Sequence, residues 1–382
     1  MKRTFRDKRK DAVLKIVRQL AKIWMLFDMK ATYNFDESFN KRSKEPYLLL
    51  ANHTFMFDVV HAPLYLRVSP FIVAQQNLLT KQPLKFLLEE IAHVIPKSKG
   101  AADVRAVRGL LTAVKKGYPI LIFPEGHTTF NGETNYIEES TYKLIKKLKI
   151  DVVTIVVSGG YLSKPRWATS KRKNRRVTFD YKTLIKKEDL KALSLDEIDE
   201  KVKAALYHNA YDYQRTAMIK RPGKNKAEGL ENILYICPNC ETVGRIKTKG
   251  DHICCEACNT EGLLNDYGFI EGFKFDNTVD WDRWQRLYAD KLKTETFESE
   301  GKIYIVDDES LKRKYIGEIS IKYNNNAFHV NGALNKVFEF DKVKNPTATL
   351  RRNFNINYEG VHYLIKIEQY VSSFLRVVQT KY

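Results

Sequence analysis

Two side chains that could act together as a general base follow one apolar run of the sequence. His53 comes directly after residues 47–52, and Asp58 follows five positions later. A carboxylate that accepts one ring N–H of an imidazole fixes its tautomer, and the other ring nitrogen can then take a proton from a hydroxyl. Residues five apart do not share a face of a continuous helix, so the pair requires His53 to precede the first regular helical turn.

A second polar group follows another apolar run further along the chain. Residues 120–123 lead into the turn Pro-Glu-Gly-His at residues 124–127. Taken alone, the spacing of His53 and Asp58 would also fit a histidine on the surface or in the core. Two such polar groups, each at the end of a strand-sized apolar run, instead indicate one active site.

The elements around these groups predict an α/β fold. From residue 45 to residue 181, apolar runs of strand length alternate with helical stretches. This alternation is typical of a mostly parallel sheet covered by helices, and such sheets carry active sites at the carboxyl ends of their strands. Strands are predicted at residues 47–52, 71–74, 91–96, 119–124, 152–158 and 177–181, and helices at residues 83–90 and 103–116.

At these residues the sequence resembles the glycerophospholipid acyltransferase family, which includes the bacterial 1-acylglycerol-3-phosphate acyltransferases. The family motif Asn-His-x-x-x-x-Asp is matched by Asn52, His53 and Asp58, and the motif Phe-Pro-Glu-Gly by residues 123–126. Motif order, spacing and strand context all agree. We therefore place an acyltransferase domain at residues 29–220.

The resemblance implies an enzyme that moves a fatty acyl group from acyl-CoA or an acyl carrier protein to a lysophospholipid hydroxyl. The expected acceptor is 1-acylglycerol-3-phosphate, and another lipid or a glycerol phosphate stays open. His53, oriented by Asp58, would deprotonate the hydroxyl, which attacks the thioester and expels the thiol without an acyl-enzyme. Asn52, Glu125 and Gly126 would shape the acceptor pocket.

The turn after the second motif departs from the family pattern. The family continues Gly-Thr-Arg-Ser, whereas this chain has Gly-His-Thr-Thr at residues 126–129, so the arginine expected to hold the acceptor phosphate is absent. Lys97 or Lys99, just past a predicted strand, could supply a point charge instead. His127 could replace the lost acceptor contact. A solvated loop lysine and a turn histidine without a catalytic role stay open as alternatives.

A different pattern marks the second half of the chain. Two Cys-x-x-Cys pairs are separated by fourteen residues, which is typical of a zinc ribbon whose four thiolates close a tetrahedral shell around a structural Zn²⁺. We predict this ribbon at residues 231–264, after a basic linker at residues 221–230. Cys254 adjoins a ligand but would point away from the metal, as a free thiol or a redox group. The predicted ligands are Cys237, Cys240, Cys255 and Cys258.

The first 28 residues predict a basic amphipathic helix. Apolar side chains recur at helical spacing up to Phe27, and cations occupy another face. Such a helix can lie in a membrane interface, with Trp24 and Phe27 among the acyl chains, or it can pack on its own domain. No stretch is long and apolar enough to span a bilayer, and no signal peptide is recognised. We expect a cytoplasmic protein that is peripheral on the inner face of the membrane.

The net charge of +19 favours anionic partners, in particular an anionic membrane surface. Seven basic residues and no acidic ones lie within residues 161–176, where they would attract lipid headgroups, the acyl donor or only solvent. A nucleic-acid-binding protein would use the same charges, but it leaves the two strand-end motifs unexplained. A non-catalytic lipid-binding protein is a third possibility, against which the intact His53, Asp58 and Glu125 argue.

Residues 265–382 predict a β-rich domain. After a helix at residues 281–292, apolar and polar residues alternate in successive stretches, which is typical of an antiparallel sandwich or small barrel. A closing helix is predicted at residues 369–378. The pattern resembles lipid- and protein-binding domains of the pleckstrin-homology type, and a purely structural role stays open.

Overall fold

The protein is divided into two compact units. The computed structural model describes residues 2–75, 93–97, 104–294, 296–307, 312–349, 352–369 and 371–379. The first unit comprises residues 1–164 and 174–219, and the second comprises residues 165–173 and 220–382. The helix predicted at residues 83–90 lies outside the described residues, as does Lys99.

A mostly parallel sheet forms the centre of the first unit. Its strands are β1 (Lys30–Phe35), β2 (Tyr47–Ala51), β3 (Phe71–Gln75), β4 (Val94–Lys97), β5 (Ile120–Ile122), β6 (Asp151–Ser158) and β7 (Arg176–Ile185). They lie in the order β1-β7-β6-β2-β5-β3-β4. Strands β2 to β6 are parallel to one another, whereas β7 is antiparallel to β6 and parallel to β1. The mostly parallel sheet predicted from the sequence is therefore confirmed.

Helices connect and cover these strands. They are α1 (Phe5–Asp28), α2 (Asp58–His61), α3 (Val104–Lys115), α4 (Glu139–Leu148), α5 (Gly160–Ser163), α6 (Leu195–Leu206) and α7 (Ala210–Ala217). Strand β2 is buried along its whole length. Leu48 and Leu50 face a core shared with α3, α4 and α6, and Leu49 and Ala51 face the core on the other side of the sheet. A strand covered on both faces is apolar at every position, which explains the continuous apolar run in the sequence.

Helix α1 belongs to the first unit and lies within the first 28 residues, as predicted. Thr4 and Asp7 form a capping box that starts the helix at Phe5. The guanidinium of Arg18 donates to the carbonyl oxygens of Leu64 and Leu66, so this cation is part of the packed face of α1. Further polar contacts join Arg3 to Gly117, Asp7 to Lys116, Asp11 to Tyr118 and Asp28 to Arg175. No helix among the described residues has both the length and the apolar character needed to cross a bilayer.

The second unit opens with a small antiparallel sheet and two helices. The strands are β8 (Ile246–Lys249), β9 (His252–Cys255), β10 (Glu261–Leu264) and β11 (Ile270–Glu271), and the helices are α8 (Thr278–Arg286) and α9 (Ala289–Thr294). Helix α8 packs on the segment before the first cysteine. The indole N–H of Trp281 donates to the Ile236 carbonyl, and the Gln285 side chain bonds to the backbone of Ile233 and Tyr235.

An antiparallel sheet and a closing helix form the rest of the second unit, as the alternating pattern predicts. The strands are β12 (Phe297–Val306), β13 (Arg313–Asn324), β14 (Ala327–Gly332), β15 (Lys336–Glu339), β16 (Val343–Thr349), β17 (Asn353–Tyr358) and β18 (Val361–Ile367), and the helix is α10 (Val371–Gln379). The strand order is β15-β14-β13-β12-β18-β17-β16. Phe374 of α10 packs on Phe297, Phe328 and Phe354 in the core of this sheet.

Residues 221–230, predicted as a linker, are packed within the second unit. Arg221 and Lys226 are buried. The ammonium of Lys226 lies 2.6 Å from Asp266 and 3.2 Å from Asp251. A buried cation requires such partners because its loss of hydration is otherwise too costly. The composition of this segment indicates charge, but only the fold shows that the charge is paired.

Other element predictions differ from the structure in part. The helix predicted at residues 281–292 ends at Arg286, where the Leu287 N–H bonds to the Trp284 carbonyl in a tightened last turn, and α9 follows. Strands β1 and β16 were not predicted. Strand β1 is an edge strand that lacks a continuous apolar run, and β16 contains Pro346 within an irregular register.

The close approach of Gly160 to the loop after β2 gives a test of this fold. A Cβ at residue 160 would overlap the Thr54 hydroxyl and the Phe55 ring. We expect Gly160→Ala to lower the free energy of unfolding by about 1–3 kcal/mol, because packed atoms must move apart. Gly109→Ala in α3 is the control, since its Cβ would lie 3.5 Å from Ile95 and should leave stability unchanged or slightly higher. Urea unfolding followed by circular dichroism measures both, and a Gly160→Ala protein as stable as wild type would contradict the packing.

Candidate active site

Strand β2 delivers the first site residues to the carboxyl edge of the sheet. After Ala51, the Asn52 side chain replaces backbone pairing with β6. Its Nδ2 donates to the Val157 carbonyl at 3.1 Å, and its Oδ1 accepts the Val157 N–H at 2.6 Å. Both amide groups are occupied and the residue is buried. Asn52 therefore fixes the direction in which His53 leaves the strand.

His53 and Asp58 form a hydrogen-bonded pair. The ring nitrogen Nδ1 of His53 lies 2.9 Å from Oδ2 of Asp58, which is the fully buried first residue of α2. The same oxygen accepts the backbone N–H groups of Thr54 and Phe55, at 2.9 and 3.3 Å. This turn between β2 and α2 brings residues five apart into contact. With Nδ1 held by Asp58, Nε2 is the ring nitrogen available to take a proton from a hydroxyl.

Residues after strand β5 hold the backbone of His53. Oε1 of Glu125 accepts the His53 N–H at 2.6 Å, and the Thr129 N–H donates to the His53 carbonyl at 2.8 Å. The imidazole also packs on the Phe123 ring, with 4.5 Å between ring centroids. The His53 side chain stays 15% exposed, so its ring is fixed but still open on one side.

The carboxyl group of Glu125 is buried and accepts hydrogen bonds from several N–H groups. Besides the His53 N–H, it accepts the backbone N–H of Asn135 at 2.7 Å and the side-chain amide of Asn135 at 2.8 Å. Burial raises the pKa of Glu125 to about 7, and the hydrogen bonds from Asn135 and His53 oppose this rise. The sequence assigns Glu125 to the acceptor pocket, and the structure shows that both of its oxygens hold the protein backbone around His53.

The other predicted substrate residues lie along the same edge. Gly126 turns the chain with a φ of 71°, and its N–H donates to the Phe123 carbonyl. His127 is exposed on this turn and its ring contacts that of Phe130, with 5.6 Å between centroids. Lys97 is the last residue of β4. Because the carboxyl ends of the parallel strands β2, β5, β3 and β4 meet at one edge of the sheet, Lys97 lies at the edge that also carries His53.

A small pocket lies beside His53. Part of its wall is a loop folded on Thr129, whose hydroxyl donates to the Glu133 carbonyl and accepts the Gly132 N–H. His208, from the segment between α6 and α7, completes the wall. The residues that line the pocket are Asn52, His53, Thr54, Glu125, Thr129, Gly132, Glu133, Thr134 and His208.

Two residues that shape this site are not identified by the sequence analysis: Asn135, which donates to Glu125, and His208, which lines the pocket. Neither belongs to a motif with a fixed spacing from His53, so the sequence carries no signal for them.

The four predicted metal ligands converge in the second unit. Their Sγ atoms all lie within 4.8 Å of one another, with 3.8 Å between Cys237 and Cys258 and 3.7 Å between Cys240 and Cys255. Tetrahedral thiolates at about 2.3 Å from an ion are about 3.8 Å apart. The cluster therefore fits a metal ion, and Cys254 is outside it.

Each half of this cluster is a tight backbone turn. Cys237 accepts the N–H of Glu241 and donates its own N–H to Thr242, and Cys255 makes the matching pair of bonds with Asn259 and Thr260. Glu241 and Asn259 both have a φ of 57°, the left-handed conformation that reverses the chain. Two such turns bring the four sulfurs together.

Comparison with known proteins identifies the domain that carries His53. Residues 32–158 match the model of the family described as Acyltransferase. Among solved structures, the chain is similar to the 1-acyl-sn-glycerophosphate (LPA) acyltransferase PlsC from Thermotoga maritima. That match has a TM-score of 0.43 and 17% sequence identity, and it covers 57% of this chain and 85% of that chain.

The family match includes the two strand ends that hold His53, Asp58 and Glu125. The chain therefore carries a domain of the acyltransferase family at residues 32–158.

Proposed function

We propose that this protein transfers a fatty acyl group from acyl-CoA or an acyl carrier protein to the free hydroxyl of a lysophospholipid, with 1-acylglycerol-3-phosphate as the first candidate acceptor. The observation that carries the proposal is the 2.9 Å contact between His53 Nδ1 and a fully buried Asp58 at the end of a parallel strand. This geometry holds an imidazole in the orientation that a general base requires.

The reaction needs one proton relay and no covalent enzyme intermediate. Nε2 of His53 takes the proton as the acceptor oxygen attacks the thioester carbonyl. The tetrahedral intermediate then collapses, its C–S bond breaks, and the imidazolium returns the proton to the leaving sulfur. Asp58 stabilises the imidazolium during this sequence, while Glu125 and Thr129 keep the His53 backbone in place.

The acceptor phosphate needs a cation other than the missing arginine. Lys97 ends β4 on the edge of the sheet that also carries His53, which supports a role as a point charge for the phosphate. His127 is exposed on the turn after Glu125 and provides a second polar group toward the solvent side. We propose these two residues as acceptor contacts, with Gly126 allowing the turn between them and the pocket.

Helix α1 supports binding to a membrane surface. While one face of α1 packs on the first unit, seven of its large apolar side chains are at least half exposed, and five of these recur at helical spacing. We call this set the apolar stripe. Trp24 also packs edge-on against Phe57, the neighbour of Asp58, with 5.2 Å between ring centroids. A stripe that enters the lipid interface would therefore bring the site to the membrane, where its lipid substrates are. The stripe consists of Ile16, Leu20, Ile23, Trp24 and Phe27.

Two features of the second unit complete the proposal. The cysteine cluster would bind one Zn²⁺ as a structural ion, because four thiolates leave no ligand position open for a substrate. The sheet of β12 to β18 consists of a four-stranded meander joined through the β12–β18 pair to a three-stranded one, with α10 packed in its core. This arrangement supports the pleckstrin-homology type of domain proposed from the sequence pattern.

Substitutions at His53 and Asp58 test the mechanism. We expect His53→Ala to lower kcat by about 10²–10⁴-fold, because the general base is lost. Asp58→Asn should lower it less, because the base stays but its orientation and charge stabilisation do not. Transfer of a labelled acyl group from acyl-CoA to 1-acylglycerol-3-phosphate measures both.

The control is His252→Ala, which removes an exposed histidine of the second unit and should keep full activity. Circular dichroism confirms that each variant is folded. A folded His53→Ala protein with wild-type turnover would exclude this mechanism.

The apolar stripe is tested by making it polar without a change of charge. We expect Leu20→Ser with Ile23→Ser to weaken binding to phosphatidylglycerol vesicles by about tenfold or more, because two apolar side chains no longer enter the interface. Co-sedimentation with vesicles measures binding. Leu287→Ser, at an exposed leucine of the second unit, is the matched control and should bind as wild type does. Unchanged binding of the double variant would place the membrane contact elsewhere.

Metal analysis tests the cysteine cluster. We expect the purified protein to contain about one zinc per chain and Cys240→Ser to lose most of it, because three thiolates hold the ion less tightly. The Cys240→Ser protein should melt at a lower temperature yet keep acyl transfer at low temperature, since the chemistry lies in the first unit. Cys254→Ser is the control and should keep its zinc. A zinc-free wild-type protein would refute the proposed ion.

A further inference from the structure

His208 reaches the pocket beside His53 from outside the residues that match the family model. It lies just after α6, and its backbone is joined to the loop that forms the pocket wall. The Thr134 N–H donates to the His208 carbonyl at 3.0 Å, and the His208 N–H donates to the Thr134 hydroxyl at 2.9 Å. Two additional contacts, between Glu133 and Asn209 and between Ala210 and Gly132, extend this connection. These contacts tie the backbone of His208 to the pocket wall.

Unlike the backbone of His208, its side chain has a nitrogen without a hydrogen-bond partner among the described residues. Its Nε2 is buried and makes no hydrogen bond with the described residues, and its ring contacts that of Tyr213 at 6.1 Å between centroids. Removal from water lowers the pKa of His208 to about 4, so the imidazole is neutral at neutral pH. A buried nitrogen without a partner destabilises a folded protein, so its presence needs an explanation, and a catalytic or binding role is one of those known.

Because this imidazole is uncharged at neutral pH, it suits some chemical groups of the acceptor better than others. Acceptor phosphate requires a cation, which His208 does not provide at neutral pH. The group nearest to His53 in a productive complex is the glycerol portion of the acceptor, because His53 takes the proton of its hydroxyl. An uncharged oxygen on this glycerol portion would match an imidazole that can donate or accept one hydrogen bond. The pocket is narrow, so the acceptor must widen it to reach this nitrogen.

We propose that His208 is a specificity-determining residue whose Nε2 hydrogen-bonds to an uncharged oxygen of the acceptor's glycerol portion beside His53. The proposal rests on the acyl transfer proposed above and adds a contact from the segment after α6. In the free enzyme this nitrogen is a source of instability, and in the complex it distinguishes acceptors that carry the matching oxygen. If His208 had only a structural role, its replacement would lower the stability of the protein and would not weaken acceptor binding selectively.

The experiment compares His208→Phe and His208→Gln with wild type in the full-length protein. The phenylalanine ring keeps the packing and removes both nitrogens, whereas glutamine keeps a polar group. We expect His208→Phe to raise KM for 1-acylglycerol-3-phosphate about tenfold, to leave KM for acyl-CoA within about twofold, and to melt no lower than wild type. His208→Gln should recover part of the acceptor affinity. His252→Phe, at an exposed histidine, is the control and should change neither constant.

Three outcomes would overturn the proposal: an unchanged acceptor KM in His208→Phe, a change in the acyl-CoA KM instead, or a large fall in melting temperature with equal loss of activity in both variants. The last result would give His208 a structural role only. If wild type transfers no acyl group, the proposed reaction fails, and calorimetric titration with 1-acylglycerol-3-phosphate decides separately for His208. About tenfold weaker binding by His208→Phe then supports the contact, and equal binding overturns it.

Discussion

The placement of His53 depends on hydrogen bonds that converge from three strand ends. Asp58 holds its ring after β2, Glu125 and Thr129 hold its backbone after β5, and Asn52 ties the exit of β2 to β6. Parallel strands bring their carboxyl ends to one edge, so residues far apart in the chain become direct neighbours. Each contact removes a freedom of movement from His53, so the orientation of its ring is a property of this sheet edge, as the proposed general base requires.

This arrangement buries charged and polar groups, and their loss of hydration is unfavourable. Asp58 is fully buried, and burial raises the pKa of Glu125 to about 7. Hydrogen bonds from backbone N–H groups offset part of the cost for both carboxyl groups. The cores on both sides of β2 supply the compensating stability, because every residue of that strand is buried in apolar surroundings. A rigid strand thus supports a loop that would be unstable alone.

Each of the two units carries a different candidate site. The first unit holds His53, the proposed base, with the residues that position it, and the second holds four sulfurs at the spacing of a closed tetrahedral shell. A metal ion in such a shell would stabilise the turns around it and would leave no position for a substrate. The exposed stripe on α1 belongs to the unit that carries His53, which agrees with the lipid substrates and membrane contact that we propose.

The sequence by itself identified those residues whose type and spacing follow a well-defined local pattern. His53, Asp58 and the Phe-Pro-Glu-Gly turn follow apolar strands, and the cysteine pairs have a spacing that few other sites use, so these features and the mostly parallel sheet were predictable. Tertiary structure alone decided which partners these residues meet. Asn52 and Glu125 have polar side chains of the kind that bind substrates. In the fold, their polar atoms bond to the backbone of Val157, His53 and Asn135. His208 carries no sequence signal, because its place in the pocket results from pairing between segments that are distant along the chain.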